Sequence, residues 1–388
     1  MNRNIEFYRH SLSADDASAI AAVLQSPFLT SGGVCKRVEG MLREFFGAGH
    51  AFLTNSWTNG AVAALLALGI GPGDEVIVPA MTFIASANVV ELVGATAIFV
   101  DVDPQTLLMT PEAAAGAITP RTRAVIAVHL YGQMCDLAGM QQALSAHPGV
   151  ILIEDAAHAF ESSRDGYLPG AHSDMAIFSF YATKNVTCGE GGAIVTNRSD
   201  LAGRLHSARL HGMTKSAADR FSGGRYNHWD MACLGTKANL PDLLAALLPS
   251  QIETIRQRLP ARQALANRYR QAFSGLPIRL AKVLPQCSTA EHLFPIHVDP
   301  AVRDEAIMAL NGRGVSVTVN YRAVPATTYY REKYRLSPES FPVSREWGEG
   351  TISLPLYPRL SREDQDYVIQ AVREAVVPLV ESRAARPA

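Results

Sequence analysis

Short apolar runs alternate with amphipathic stretches through the first two hundred residues of the chain. The runs are rich in β-branched residues and are bounded by glycine, proline or small polar residues, a pattern typical of buried strands. The sequence predicts strands at His50–Thr54, Glu75–Pro79, Ala97–Val100, Ala124–His129, Val150–Ile153, Asp174–Phe180 and Ala193–Thr196. Apolar residues at helical spacing predict helices before, between and after them, at 14–25, 38–46, 84–93, 111–117, 137–146 and 201–210. A further helix, rich in alanine and leucine, is predicted to follow the polar turn 55–60 and to end at Leu68. This alternation indicates an α/β fold, with a mainly parallel sheet covered by helices on both faces.

The pattern changes after a polar loop predicted at 212–226. A long helical region begins at Leu240, with interruptions expected at Pro249 and Pro260. Strands are predicted at 291–298 and 314–321, and Ser361 is positioned to cap a final amphipathic helix. We therefore expect a large domain at 1–250, including an N-terminal segment, and a smaller C-terminal α+β domain at 251–388.

Composition excludes several classes of partner. The chain has 388 residues, of which 48% are apolar and 18% charged, as in ordinary globular proteins. A net charge of −1 gives no reason to expect nucleic acid or an anionic membrane as partner. The five cysteines show no CxxC spacing, and neither a signal segment nor a membrane-spanning run is evident. These features predict a cytoplasmic protein.

Two groups with complementary chemistry follow neighbouring predicted strands. Asp155 comes at the end of the strand 150–153, and Lys184 follows the strand 174–180. Ligands of open α/β sheets bind beyond the carboxyl ends of the strands, so both side chains are expected at one edge. In isolation, the same pair would more often be a surface lysine and a helix-capping aspartate.

Five sequence words around these groups resemble one family. The words are IEDAAH (153–158), FSFYATKN (178–185), GEGG (189–192), GPGDEVIVP (71–79) and VHLYG (128–132). Together they resemble the DegT/DnrJ/EryC1/StrS family of sugar aminotransferases, which depend on pyridoxal 5'-phosphate (PLP). The resemblance extends over nearly the whole chain and weakens in the last hundred residues. It implies a PLP-dependent transferase of fold type I.

The resemblance implies a role for each of several residues. Lys184 would join the aldehyde of PLP, and Asp155 would keep the pyridine nitrogen protonated so that the ring can accept electrons. Phe83 would stack on the ring, and His158 would lie near its phenolic oxygen. The phosphate ligands implied are Trp57 through its backbone, Thr58, Ser179 and Asn239.

The resemblance also implies that Asn239 reaches the phosphate of the neighbouring subunit, which makes the protein a homodimer with shared active sites. Two segments depart from the family pattern. Trp57 stands where the family usually has glycine, although its backbone amide remains available. The family's histidine-rich words are absent at 318–328, so substrate contacts there are not implied.

The reaction implied is transfer of an amino group from L-glutamate to a nucleotide-linked 3-keto or 4-keto-6-deoxy sugar. Such a step would serve amino-sugar and polysaccharide biosynthesis, including lipopolysaccharide O-antigen. One alternative is the family's dehydratase branch, which carries histidine in place of Lys184. A second is a non-catalytic, ligand-sensing relative.

A third alternative is a metal hydrolase built on Glu154, Asp155 and His158. No second pair of ligands with metal spacing supports it, so no metal is expected. His129, in the fourth word, is compatible with either a structural or a substrate-side role.

Overall fold

The computed structural model describes residues 3–214 and 228–385 of the chain. The polar loop predicted at 212–226 lies for its greater part outside the described residues. Within the described residues, no helix is both long enough and apolar enough to cross a membrane.

The seven strands predicted in the first two hundred residues lie close to their predicted positions, and further strands follow or lie between them. They are β1 (His50–Thr54), β2 (Glu75–Pro79), β3 (Thr96–Val100), β4 (Thr122–Val128), β5 (Ile151–Asp155), β6 (Ser163–Arg164), β7 (Met175–Ser179), β8 (Gly192–Thr196), β9 (Cys287–Ser288), β10 (Phe294–His297) and β11 (Thr351–Leu354). Seven of them form one sheet in the order β1-β8-β7-β5-β4-β2-β3. In that sheet β8 runs antiparallel to both its neighbours, and the other pairings are parallel. The predicted mainly parallel sheet is confirmed.

Helices connect and cover the strands. They are α1 (Ala14–Leu24), α2 (Gly33–Phe46), α3 (Trp57–Leu68), α4 (Ala85–Leu92), α5 (Pro111–Gly116), α6 (Leu137–Ala143), α7 (Ser199–Ala208), α8 (Asp242–Ala245), α9 (Pro249–Phe273), α10 (Arg303–Gly312), α11 (Thr328–Tyr334), α12 (Pro342–Gly350), α13 (Arg362–Ala371) and α14 (Val377–Ala384). A π-helical turn, Val372–Val376, joins α13 to α14.

Side-chain alternation along the strands divides the core between the two faces of the sheet. On β4, Ile126 packs into the cluster formed with α3, α4 and α7, whereas its neighbour Val125 packs on the other side with α6. On β7, Ile177 joins the first cluster and Phe178 packs with α2 and α9. Both faces are therefore covered, as the apolar strand sequences require.

The C-terminal part has its own core. Strands β10 and β11 pair antiparallel, and their buried side chains pack with residues of α9, α10 and α13. Ile5, from the N-terminal segment, belongs to the same cluster. A smaller α+β unit is thus present, while the domain boundary near residue 250 stays a prediction.

Two local predictions in this part were wrong. Residues 314–321 are not a strand, because Val315 and Thr318 form isolated bridges with two different partners, Ile5 and Ser353. The segment then continues into a cavity wall. Pro260 does not interrupt α9, which is continuous through it. A proline inside a helix costs about 3 kcal/mol, but α9 is held by buried residues on both sides of Pro260.

Candidate active site

A cavity of about 660 Å³ lies at the carboxyl edge of the parallel strands. Residues at or just past the ends of four strands line it, namely Thr82 after β2, Val128 on β4, Asp155 on β5 and Ser179 on β7. Its volume falls within the range of small-molecule sites, about 300–1,000 Å³. The sheet topology therefore places the cavity where ligands of open α/β folds bind.

Asp155 is a buried carboxylate in the wall of this cavity. Its Oδ2 accepts a hydrogen bond from the Ser86 hydroxyl at 2.8 Å, and its Oδ1 accepts one from the Ala157 amide at 3.1 Å. Burial raises the pKa of Asp155, and these hydrogen bonds only partly offset the rise. A cationic group in the cavity would stabilise the ionised carboxylate.

Lys184 lies in the loop after β7 and lines the same cavity. The residue is half-buried, and its amine lies 3.4 Å from Nε2 of His292, which lines the same cavity. Burial lowers the pKa of Lys184 to about 8, and the negative charge of Asp155 opposes this change. At pH 7 roughly a tenth of the molecules therefore hold Lys184 as a neutral amine. The structure brings together the acid and the lysine that were predicted at one edge.

The start of α3 forms another part of the wall. Ser56 caps the helix by accepting a hydrogen bond from the amide of Asn59, and Trp57 and Thr58 begin the first turn. First-turn amides have no partner within a helix, and the helix dipole favours an anion there. Ser179 lines the same cavity. An anion-binding corner made by the three predicted phosphate ligands Trp57, Thr58 and Ser179 fits this geometry.

The tryptophan that departs from the family pattern does not fill the cavity with its ring. The indole of Trp57 is buried in the hydrophobic cluster with α4 and α7, and its Nε1 donates a hydrogen bond to the Ile177 carbonyl at 3.1 Å. The start of α3 is therefore tied to β7 by a side chain that glycine would lack. The backbone of Trp57 stays at the cavity wall.

Aromatic rings stand on another side of the cavity. Phe83 is 52% exposed although it is a large apolar residue, and its ring lies 5.5 Å from that of Tyr321. Exposure of a phenyl ring inside a cavity is unfavourable unless a ligand covers it. Phe83 is thus available to stack on a planar ligand, as the sequence predicts.

His158 is buried in the wall of the cavity and has a defined tautomer. Its Nδ1 accepts a hydrogen bond from the Tyr131 amide at 3.1 Å, so the proton is on Nε2, which lies 3.1 Å from the Tyr321 hydroxyl oxygen. Burial, and then the charge of Lys184, lower the pKa of His158 well below its ordinary value. A neutral donor of this kind suits a ligand oxygen.

Asn239 is the one predicted cofactor ligand that does not line this cavity. Its amide group donates a hydrogen bond to the Ser31 hydroxyl at 2.6 Å, and its buried Oδ1 has no hydrogen-bond partner among the described residues. This position is compatible with a role in another subunit's site. That role stays a prediction.

The side chains of Glu154 and His129 lie on the face of the sheet opposite to that of Asp155. The carboxylate of Glu154 accepts hydrogen bonds from the Gly170 amide and the Ser173 hydroxyl, and it pairs with His129 Nε2 at 2.7 Å. Since neighbouring residues of a strand point to opposite faces, Glu154 cannot join Asp155 in one site. No cluster of three potential metal ligands occurs within the described ranges. The arrangement supports a structural role for His129 and separates Glu154 from Asp155.

Sequence reasoning missed three polar residues of the site. Ser86 bonds Asp155, Tyr321 bonds His158, and His292 Nε2 lies 3.4 Å from Lys184 Nζ. Ser86 could have been suspected because it follows Phe83 on the same loop-to-helix junction. His292 and Tyr321 come from the C-terminal part, where no sequence pattern indicates which residues face the sheet.

The chemical groups that line the cavity fit those of PLP. It combines a desolvated amine at Lys184, a buried carboxylate at Asp155, an exposed phenyl ring at Phe83 and an anion-binding helix start. Those groups match the aldehyde, the pyridine nitrogen, the ring face and the phosphate of PLP respectively.

Comparison with known proteins supports the same conclusion. A sequence profile of the DegT/DnrJ/EryC1/StrS aminotransferase family matches residues 10–373. DesV of S. venezuelae, solved in complex with a ketimine intermediate, is 35% identical with a TM-score of 0.85, over 93% of this chain and 94% of that chain.

Two further solved structures are similar over nearly their whole length. PseC of Helicobacter pylori, an aminotransferase involved in the biosynthesis of pseudoaminic acid, is 25% identical with a TM-score of 0.88, over 98% of this chain and 100% of that chain. Spr1654 of Streptococcus pneumoniae, solved in its PLP form, is 28% identical with a TM-score of 0.88, over 96% of this chain and 98% of that chain. The latter has also been solved in its PMP form, which carries the amine in place of the aldehyde.

Proposed function

Since this chain belongs to the DegT/DnrJ/EryC1/StrS aminotransferase family, whose members use PLP, we propose that it transfers an amino group from L-glutamate to a nucleotide-linked 3-keto or 4-keto-6-deoxy sugar. The observation that carries the proposal is the desolvated amine of Lys184 in one cavity with the buried carboxylate of Asp155. Spr1654, described as a sugar aminotransferase, and PseC, which acts in the biosynthesis of pseudoaminic acid, support a sugar as the acceptor.

PLP, when bound, supplies an aldehyde that exchanges amines and a ring that accepts the electrons of a broken C–H bond. The residues of the chain supply binding, orientation and proton transfer. Asp155 would hold a proton on the ring nitrogen, because an ion pair with a cation would stabilise its buried carboxylate. Phe83 would cover one face of the ring.

Lys184 would move the proton that each half-reaction requires. Its Nζ would take a proton from the α-carbon of the donor and would deliver one to the sugar carbon in the second half. With a pKa of about 8, Lys184 exchanges protons readily near neutral pH. The dehydratase branch has histidine at this position, so Lys184 favours transamination.

The phosphate would bind to the first turn of α3 together with Thr58 and Ser179, and to Asn239 of a neighbouring subunit in a homodimer. The position of Asn239 outside the cavity of its own chain supports this arrangement.

The proposal is tested by offering L-glutamate with a panel of nucleotide-linked 3-keto and 4-keto-6-deoxy sugars. The product is identified by mass and NMR, and Lys184→Ala is the control. We expect one sugar to gain an amino group as 2-oxoglutarate forms in equal amount. Turnover of glutamate with simple keto acids but with none of the sugars would contradict the proposed substrate class.

A further inference from the structure

A histidine from the C-terminal part lies against the lysine of the site. His292 is 4% exposed, and its Nε2 lies 3.4 Å from Lys184 Nζ. Its ring also packs against that of His158, with 4.4 Å between the centroids. Burial, followed by the charges of Lys184, His158 and Arg262, lowers the pKa of His292 well below its ordinary value, so the ring is neutral.

The tautomer of His292 is set by Asn185, the residue after Lys184. The amide nitrogen of Asn185 donates hydrogen bonds to Glu161 Oε1 at 2.6 Å and to the Ala290 carbonyl at 3.0 Å. Both partners are acceptors, so the amide oxygen of Asn185 must face His292 Nδ1, at 3.2 Å. The proton of the ring is therefore on Nδ1, and the lone pair of Nε2 points at Lys184.

The backbone around His292 is held as firmly as its ring. The amides of Ala290 and His292 donate hydrogen bonds to the carbonyls of Gly132 and Tyr131 at 3.1 and 3.0 Å. Gly132 has φ +102°, and a Cβ there would lie 3.0 Å from the His158 carbonyl and 3.1 Å from Ala290 Cβ. Only glycine permits this close approach.

The charged groups behind the ring are also buried. Glu161 and Arg262 are 5% and 7% exposed, and the charge of Arg262 favours ionised Glu161 against the effect of burial. On the cavity side, the charge of Lys184 acts on the ring, and Asp155 acts on Lys184 in turn. The contacts thus form one chain from Glu161 through Asn185 and His292 to Lys184.

We propose that His292 is a positioning residue, whose Nε2 lone pair accepts a hydrogen bond from Lys184 and aims its amine during the part of the cycle in which Lys184 is free. The catalytic role of His292 rests on the proposed function. The contact between His292 and Lys184 does not depend on which donor or sugar is used. An acceptor at this distance stabilises the ammonium form, and it limits the directions in which the flexible lysine side chain can point.

The test measures the amine directly in the full-length protein from which the cofactor has been removed. Trace acetylation of Lys184 with acetic anhydride is followed between pH 6 and 10 by peptide mass spectrometry, with exposed Lys237 as internal reference. The unchanged chain should show a midpoint at about 8. His292→Phe removes the lone pair and should lower the midpoint by about one unit, since a hydrogen bond to a charged group contributes about that much.

Two matched variants are measured beside His292→Phe. His292→Gln keeps an acceptor and should stay near the midpoint of the unchanged chain, and exposed His147→Phe should not alter it. His292→Leu replaces the phenylalanine variant if that variant does not fold by circular dichroism. A folded variant without an acceptor whose midpoint is unchanged would overturn the proposal, and so would a fall in His292→Gln equal to that in His292→Phe.

A kinetic readout completes the experiment. In the PLP-loaded enzyme, His292→Phe should slow the glutamate half-reaction about tenfold and leave the glutamate concentration at half-maximal rate nearly unchanged. Loss of glutamate binding with an unchanged rate would instead mean that His292 contacts the donor. Failure of the sugar panel would not alter the acetylation result, so the two proposals fail separately.

Discussion

At the scale of single residues, the cavity holds two ionisable side chains whose charged forms are destabilised by burial. Burial raises the pKa of the Asp155 carboxyl and lowers that of the Lys184 amine to about 8. Each shift records a charge that is less stable in the cavity than in water. Perturbed groups of this kind in a concave site are typical of catalytic machinery.

The lowered pKa of Lys184 sets a pH dependence for cofactor attachment. Only the neutral amine can add to the aldehyde of PLP, so the rate of attachment to cofactor-free protein should rise about tenfold per pH unit below about 8 and then level off. Stopped-flow absorbance after mixing with PLP measures this rate. A rate that keeps rising to pH 10 would show an ordinary, solvated lysine.

The same shift has a consequence for stability. The folded pKa of Lys184 lies below its unfolded value, so the unfolded chain binds more protons between about pH 8 and 10.5. The penalty for the buried ammonium is therefore present below pH 8 and is lost as the pH rises through that window. Below pH 8 the buried ammonium of Lys184 therefore lowers the free energy of unfolding.

Asp155 should act on the chemistry more than on cofactor binding. Asp155→Ala should lower turnover by about a hundredfold or more, because the ring nitrogen would lose the group that keeps it protonated, while saturating PLP still fills the site. Turnover and bound PLP are measured on the same samples, and Asp174→Ala, at the opposite end of β7, is the control. A wild-type rate in Asp155→Ala would assign the ring nitrogen to another residue.

At the scale of the elements, the site depends on how closely α3 approaches the sheet. A Cβ on Gly192 of β8 would lie 2.7 Å from the Phe178 carbonyl oxygen, the Ser56 carbonyl carbon and the Trp57 nitrogen. All three neighbours are backbone atoms, so they cannot move aside as a flexible side chain can. Strand β8 and the start of α3 therefore require glycine there.

Gly192→Ala should push the anion-binding turn of α3 out of place. We expect PLP to bind at least about tenfold more weakly, because the amides of that turn would no longer converge on the phosphate. The matched control is Gly203→Ala on α7, where a Cβ meets nothing within 4 Å and should be neutral or stabilising. Equal PLP affinity in both variants would contradict this account of the turn.

The secondary-structure elements also show how much of the fold could be predicted from the sequence. The β-branched runs predicted all seven strands of the sheet, because burial on both faces leaves a continuous apolar signal. Asp155 and Lys184 followed from strand ends and from the family resemblance. The failed strand at 314–321 and the missed His292 and Tyr321 have one cause, since their positions depend on packing between distant segments rather than on local periodicity.

At the scale of the whole molecule, the proposed homodimer makes each site depend on two chains. Asn239→Asp would aim a carboxylate at the phosphate of the other subunit, and like-charge repulsion should inactivate that site. Lys184→Ala would inactivate the site of its own subunit. In a mixed dimer of the two variants, one site collects both defects and the other collects neither.

Co-expression of these two variants should therefore restore activity. Random pairing makes about half of the dimers mixed, so roughly a quarter of all sites should be intact. Tagged chains allow the mixed dimer to be purified and assayed, and preformed homodimers that do not exchange serve as the control. Mixed dimers without any recovery would mean that Asn239 does not serve the partner's site.

In the proposed reaction the enzyme stores an amino group between its two substrates. The direct measurement is a single turnover with nitrogen-15 glutamate: the PLP-loaded enzyme is treated with the labelled donor, freed of it by rapid gel filtration, and mixed with the keto sugar identified from the panel. We expect about one labelled amino sugar per active site, because the nitrogen stays on the enzyme when the donor leaves. An enzyme that carries no label after filtration, yet aminates the sugar when both substrates are present together, would contradict it.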